Sequence, residues 1–291
     1  MPDRPSTSRQ QTSSGELARP VNIPPRPSLL MALQREMAKA DPHITRVGTL
    51  LKRDAAIAGN MIAVANSALF NLPRRVHTVE DAILMIGLEQ CRALVTSMMT
   101  RRALARGRMM MPRFWDVSEK RSWAMLHLAA KTKLARPEVA HHFGLFSDIG
   151  IPLMMASFPS YGETLAVANR MPVDKLIQLE NARHKINHAL VGAMLAEHWQ
   201  IGEDIAQAIK KHHTPQILRD EQTSSRVRNL IAIHLIVDRA IQEYRRDLSN
   251  EWAAGGALVC EMLGLSESDV TDFCAELQQR MQHPYNEQTS A

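Results

Sequence analysis

The sequence predicts an all-α protein, and three observations carry that expectation. Apolar residues recur at intervals of three and four along segment after segment, without the strict alternation or hairpin turn signals that mark strands. Aromatic residues make up only 4% of the chain while Met occurs 17 times. That leaves few of the aromatic and β-branched runs that suit a pleated sheet and many flexible helix formers. Helix punctuation is also dense, with capping residues before apolar stretches and Gly or Pro after them.

The elements follow in order. Residues 1–27 are rich in Ser, Thr, Gln, Arg and Pro and read as a disordered tail, ending in Pro24-Pro25-Arg26-Pro27. A second short tail is expected over 284–291. Ser28 is placed to cap a first helix through Leu33 and Met37. It opens a helical unit expected over 28–112. Within that unit Asp54 caps a helix carrying Ile57 and Met61, and Asn66 and Ser67 stand at a helix end, where their side chains satisfy exposed backbone groups. Phe70 is expected to anchor the following turn in the core. Thr78 precedes Glu80 and Asp81, an N-cap with acids in the first turn, and Gly87 ends that short helix in a positive-φ conformation. A longer helix from Leu88 runs toward Pro112, past Met109-Met110-Met111, a loop or core edge in preference to a partner surface. Phe114-Trp115 opens a second unit expected over 113–283. Pro137 suits a first helical turn, Thr214-Pro215 stops a helix after His213, and a long segment from Ser224 to Asp247 follows.

Composition excludes several classes. Three cysteines, Cys91, Cys260 and Cys274, are odd in number and never in a C-x-x-C pair, which argues against a disulfide framework or thiolate zinc site and fits a reducing cytosol. No apolar stretch is long enough to span a bilayer, so a cytoplasmic protein without membrane contact is expected. The net charge of +5 is spread over local pairs such as Arg101-Arg102 and Lys210-Lys211. Solvated helix faces explain it better than a nucleic-acid surface, which shows a concentrated stripe.

Four segments exceed a generic helical pattern. They are Asn66-Ser67-Ala68-Leu69-Phe70 with the Ala82-Ile83-Leu84-Met85-Ile86-Gly87 helix, Phe114-Trp115, Gly144-Leu145-Phe146-Ser147-Asp148-Ile149-Gly150, and a dispersed set of Glu180, His188, Gly192, Trp199, His212, His213 and Asp238. In this order they resemble the HDOD family, a branch of the HD-domain superfamily found in bacterial signalling proteins, over about residues 28–282. The resemblance implies an N-terminal helical bundle packed on an HD-like helical domain.

It also implies a metal site in reduced form. Catalytic HD relatives, including the HD-GYP phosphodiesterases, hold metals with His and Asp side chains, which lower the pKa of a bound water and polarise a phosphoryl oxygen. Carried over onto this chain, the first His position falls near Val117 and the His of the His-Asp pair on Ser147. The surviving types are Asp148, His188, His212, His213 and Asp238. The G-Y-P loop is absent, the chain reading Thr214-Pro215-Gln216 after the paired His. Valine does not coordinate and a serine hydroxyl is a poor ligand, so no cofactor is expected beyond a single iron, manganese or zinc ion on the remaining set. Four of the surviving residues also have a structural reading: Asp148 as a buried acid bonded to helix ends, His188 as a cap or packing group against a helix near Gly192, and His212 and His213 as partners of a helix C-terminus, about 100° apart on the helix. His184 and His188, four apart, offer a weaker zinc-pair reading.

The resulting expectation is a non-catalytic signal-transduction module that binds a protein partner, with a nucleotide second messenger as a further input. A metal-dependent phosphohydrolase or phosphodiesterase is one alternative. A nucleotide- or nucleic-acid-binding regulator is another, with nucleic acid the weaker partner. No effector domain is legible, so action alone, as an adaptor, or in trans is expected.

Overall fold

A computed structural model describes residues 21–67, 70, 72–104, 111–168, 171, 173–247 and 250–282. The Ala68-Leu69 part of the first motif, Met109-Met110, residues 1–20 of the expected N-terminal tail and the whole 284–291 tail lie outside them. Among the described residues there are α-helices and one short 3-10 helix, and no strand. The chain is all α.

The first five helices are α1 (Ser28–Met37), α2 (Ile44–Lys52), α3 (Ala55–Ala65), α4 (Val79–Ile86) and α5 (Leu88–Leu104). They pack among themselves through Leu33, Val47, Leu51, Met61, Ile83 and Leu94, all buried. The caps follow the sequence closely. Asp54 accepts from the Ile57 amide at 3.3 Å and Thr78 from the Asp81 amide at 3.0 Å. Ser28 differs from expectation: it is the first helical residue, and Pro27, at φ −58° and ψ 134°, holds the N-cap position without a side-chain bond. Proline already has the φ of a helix entrance and has no N–H to satisfy. Gly87 has φ 90°, and the chain bends by 118° there to start α5. A Cβ in that backbone region is strained, which explains the glycine.

Asn66 does more than cap. Its amide Nδ2 donates to the Val76 carbonyl and its Oδ1 accepts from the Val76 amide, both at 2.8 Å, closing the loop between α3 and α4. Ser67 Oγ donates to the Val64 carbonyl at 2.7 Å. Phe70 then meets the Trp123 ring edge-on, with centroids 6.0 Å apart, joining the first unit to the second.

The remaining helices are α6 (Pro112–Thr132), α7 (Pro137–Phe146), α8 (Gly150–Ser157), α9 (Tyr161–Ala168), α10 (Val173–His184), α11 (His188–His198), α12 (Glu203–Lys211), the 3-10 turn Pro215–Arg219, α13 (Ser225–Tyr244), α14 (Asn250–Leu263) and α15 (Glu267–Met281). Helix α13 is the buried axis of this unit, with Leu230, Ile233, Leu235 and Val237 fully packed. Helices α6, α7, α12, α14 and α15 lie against it. Trp115 is buried near the start of α6 against Phe114, and Met111 packs at the core edge. No single helix among the described residues is long and apolar enough to cross a membrane.

Residues 21–27, which the composition groups with the N-terminal tail, lie along the fold. Trp199 Nε1 donates to the Pro24 carbonyl at 2.9 Å, Arg26 donates to the Gln200 side chain at 3.0 Å, and Val21 and Ile23 pack on the core. A proline-rich strip loses little entropy on docking, so a few apolar contacts and one indole bond hold it.

On α7, His141 and His142 are fully buried. The His141 ring stacks on Trp123 with centroids 4.5 Å apart. Burial disfavours its charged form and pushes its pKa down to about 4. An imidazole with a depressed folded-state pKa stabilises the fold above its unfolded pKa. That contribution is lost as pH falls, because the unfolded chain takes up the proton first. Between about pH 7.5 and about pH 5, wild type is expected to lose ~2 kcal/mol more stability than His141→Phe. Urea denaturation of both proteins at the two pH values checks this; parallel losses would contradict it.

Candidate metal centre

The site forms where the ends of four helices meet. Helix α7 gives way to α8 through Ser147, Asp148 and Ile149, so Asp148 sits in a turn between two helices. His188 is the first residue of α11, whose N-cap Asn187 accepts from the Leu190 amide at 2.9 Å. His212 is the C-cap of α12 and His213 lies just beyond it. His212 still has helical dihedrals, φ −63° and ψ −23°, yet both imidazoles reach the same cluster from this helix end. Their rings stack with centroids 3.8 Å apart.

Gly150 is what lets these ends approach. A Cβ at Gly150 would lie 1.9 Å from the His188 carbonyl oxygen and 2.9 Å from the Gly192 amide nitrogen. Both contacts are with backbone, which cannot rotate away. The short approach of α8 to α11 brings Asp148 beside His188.

One ligand atom from each of Asp148, His188, His212 and His213 lies within 4.8 Å of the others. Asp148 Oδ1 is 3.6 Å from His188 Nε2 and 3.4 Å from His212 Nε2. His188 Nε2 is 2.8 Å from His213 Nε2. Two of the imidazoles are fixed at their other nitrogen: His188 Nδ1 lies 2.9 Å from Glu180 Oε2 and His212 Nδ1 lies 2.6 Å from the Ile209 carbonyl. Oxygen acceptors at Nδ1 draw the ring proton there and turn these Nε2 lone pairs toward the cluster. His213 Nδ1 lies 2.7 Å from Glu251 Oε1, close enough for charge attraction but without hydrogen-bond geometry. His212 Nε2 is buried without a hydrogen bond, and two ring nitrogens 2.8 Å apart require a proton or a cation between them. Three converging imidazole nitrogens and one carboxylate fit one divalent ion of the zinc, manganese or iron class.

Glu180 is the best-supported part of this shell. It is fully buried on α10, accepts from the Tyr161 hydroxyl, and accepts the His188 backbone amide at 3.1 Å as well as facing the His188 ring. Burial works against its charge, yet His188 and Tyr161 hold its carboxyl below the usual range. Burial likewise disfavours a charged His188, but Glu180 and Asp148 outweigh it and raise the ring's pKa. Burial and the two neighbouring imidazoles push His213 well below its ordinary value.

Asp238, the fifth residue expected from the family resemblance, does not join the cluster. It faces Arg121 of α6, whose Nη2 is 3.6 Å from Asp238 Oδ1. Nη1 of the same guanidinium donates to Asp148 Oδ2 at 2.6 Å and to Ser147 Oγ at 2.8 Å. Asp148 is thus the partner of a buried arginine, where the structural reading had it bonded to helix ends. Burial opposes its ionisation, but Arg121, His212 and His188 hold the carboxyl well below the carboxylate range. Asp238 is pushed up, by burial first and then by Glu251, with Arg121 acting against them. Val117, one turn before Arg121 on α6, packs on the core. His184 ends α10 and contacts the Thr164 hydroxyl at 2.9 Å, so it shares no helix face with His188.

Sequence reasoning missed Arg121, Glu251, Tyr161 and His234. Arg121 left a signal: it falls on the buried stripe of α6 with Trp115, Ser118, Ser122 and Met125, where a charge needs a buried partner. His234, one turn before Asp238 on α13, stands with its ring 5.4 Å from that of His212, and among the described residues neither of its ring nitrogens has a hydrogen-bond partner.

Similar proteins agree with this architecture. A solved HDOD domain protein of unknown function from Geobacter sulfurreducens superposes with a TM-score of 0.68 at 19% identity, covering 91% of this chain and 93% of that one. A Shewanella amazonensis SB2B protein, named as a candidate phosphohydrolase, gives 0.68 at 20% identity over 89% of this chain and 93% of its own. A Marinobacter aquaeolei VT8 protein, named as a candidate signal transduction protein, gives 0.68 at 18% identity over 90% and 58%. At these identities the likeness establishes the fold. An uncharacterized protein of Treponema pallidum is 24% identical over 212 residues, 70% of this chain, which spans 41% of that relative's length. The HDOD domain model matches residues 23–215, about two thirds of the sequence, and the chain belongs to the HDOD family.

Proposed function

We propose that this protein is a non-catalytic signal-transduction module that acts by binding a protein partner, and that its cluster serves to hold one divalent ion rather than to hydrolyse a phosphoester. The observation that carries this reading is Arg121. Its guanidinium fills the space beside the imidazole cluster, satisfies Ser147 and draws Asp238 away from the ligand set. The ligands are also enclosed: His188 and His212 are buried, and Asp148 is the most open at 19% side-chain exposure. A phosphate group has little surface there to meet.

His188, His212, His213 and Asp148 would hold the ion, with Glu180 orienting the His188 ring and the Ile209 carbonyl the His212 ring. Such an ion supplies Lewis acidity and a more acidic bound water. Around it, this chain's residues bury the charge and fix the tautomers of the His188 and His212 rings. A nucleotide cue is a second input compatible with a regulatory role.

The competing reading, a metal-dependent phosphohydrolase, draws support from the convergence of four ligands with oriented imidazoles. Metal analysis of the purified protein, with turnover of bis(p-nitrophenyl) phosphate and cyclic dinucleotides in Mn²⁺, Fe²⁺ or Zn²⁺, separates the two. Turnover is expected to match that of His212→Ala. Metal-dependent turnover that His212→Ala abolishes would overturn the proposal.

A further inference from the structure

We propose that the Arg121 guanidinium is the resident cation of a second cation position in this site, holding together the carboxylates that a second metal ion would otherwise need. The inference rests on the one-ion reading of the imidazole cluster above and extends it to the neighbouring space.

Asp148 has two faces. Oδ1 points to the imidazole nitrogens, at 3.4 and 3.6 Å, while Oδ2 takes a charge-assisted bond from Arg121 at 2.6 Å. One carboxylate therefore serves two places that each call for positive charge. The second place is lined by Asp148 Oδ2, Asp238 Oδ1 and Ser147 Oγ, each facing the same guanidinium. Glu251 adds negative charge nearby, and His234 brings an imidazole with no hydrogen-bond partner among the described residues. Two buried carboxylates with one cation between them is the charge pattern of a metal position. Here the cation is covalently part of α6, and Arg121 is only 5% exposed. A guanidinium cannot dissociate and does not deprotonate at any ordinary pH, so the second position is permanently filled.

The consequence is a limit on capacity: the chain takes one divalent ion, and a second can enter only when Arg121 leaves. The test is ion stoichiometry on metal-free protein titrated with Mn²⁺, read by calorimetry and by elemental analysis after desalting, with melting temperatures in chelator and in Mn²⁺. Wild type is expected to hold one ion, and His212→Ala none. Arg121→Ala is expected to hold two, and Mn²⁺ should raise its melting temperature by about 5 °C more than it raises that of wild type. Should Arg121→Ala fail to fold in chelator, Ser147→His in the wild-type background keeps the inference open to refutation. That variant adds an imidazole at the second position yet is expected to stay at one ion, because Arg121 remains.

Two ions in wild type, two in Ser147→His, or an Arg121→Ala protein that binds no more Mn²⁺ than wild type would each overturn the inference. Turnover by wild type carrying a single ion would instead sink the non-catalytic reading and leave the role of Arg121 standing.

Discussion

Gly150→Ala is expected to destabilise the fold by about 3 kcal/mol, at the upper end of what an added methyl group costs in a packed interior. The new Cβ would stand 1.9 Å from the His188 carbonyl oxygen and 2.7 Å from its carbon, so α8 and α11 must move apart. A flexible side chain could yield; two helix backbones cannot without carrying Asp148 and His188 with them. Loss of stability should therefore come with loss of ion binding, even though Gly150 has no ligand atom. Gly59→Ala is the matched control. Nothing lies within 4 Å of a Cβ at Gly59, in the middle of α3, and alanine there is expected to add ~0.5–1 kcal/mol through helix propensity alone. Urea denaturation of the two variants, with Mn²⁺ titration of each, checks both signs. A Gly150→Ala protein as stable as wild type would show that the close approach is not required.

The helices were legible in the sequence because their signals are local. Asp54, Thr78, Ser224 and the Pro137 first turn all act within one turn of the residues they cap, and each stands where the sequence predicts. The ligand types came only through the family resemblance, carried over onto Asp148, His188, His212, His213 and Asp238. What the sequence could not show was which side chains meet across helices. Arg121 is 26 residues from Ser147 in the chain and far more from Asp238, and it reaches both only because α6, α7 and α13 pack together. The same limit explains His212 and His213. Both imidazoles reach the cluster from the end of α12, and the meeting with Asp148 and His188 is set by how that helix end packs beside α8 and α11. Docking of residues 21–27 was hidden for a different reason, since its composition is that of a tail and its anchor, Trp199, lies at the end of α11.

Arg121→Met is expected to cost ~3–5 kcal/mol in chelator, the penalty for leaving buried charge without its partner. Asp148 and Asp238 would both lose the guanidinium they share, and the burial that already pushes Asp238 toward its neutral form would then act on each carboxyl unopposed. Asp148→Asn alone should cost less, about 3 kcal/mol, because Asp238 remains to take part of the guanidinium charge. The two substitutions are not expected to add. With Asp148 already neutral, removing Arg121 uncovers one carboxylate in place of two, and a neutral buried pair of similar volume needs no compensating charge. The double variant Arg121→Met/Asp148→Asn is therefore expected to be no less stable than Arg121→Met alone, giving a coupling of about 3 kcal/mol or more in a double-mutant cycle. Guanidinium chloride would screen the pair being measured, so urea is the denaturant for the cycle. Additive losses would mean that the 2.6 Å contact between Arg121 and Asp148 contributes no more than a surface ion pair, despite its burial.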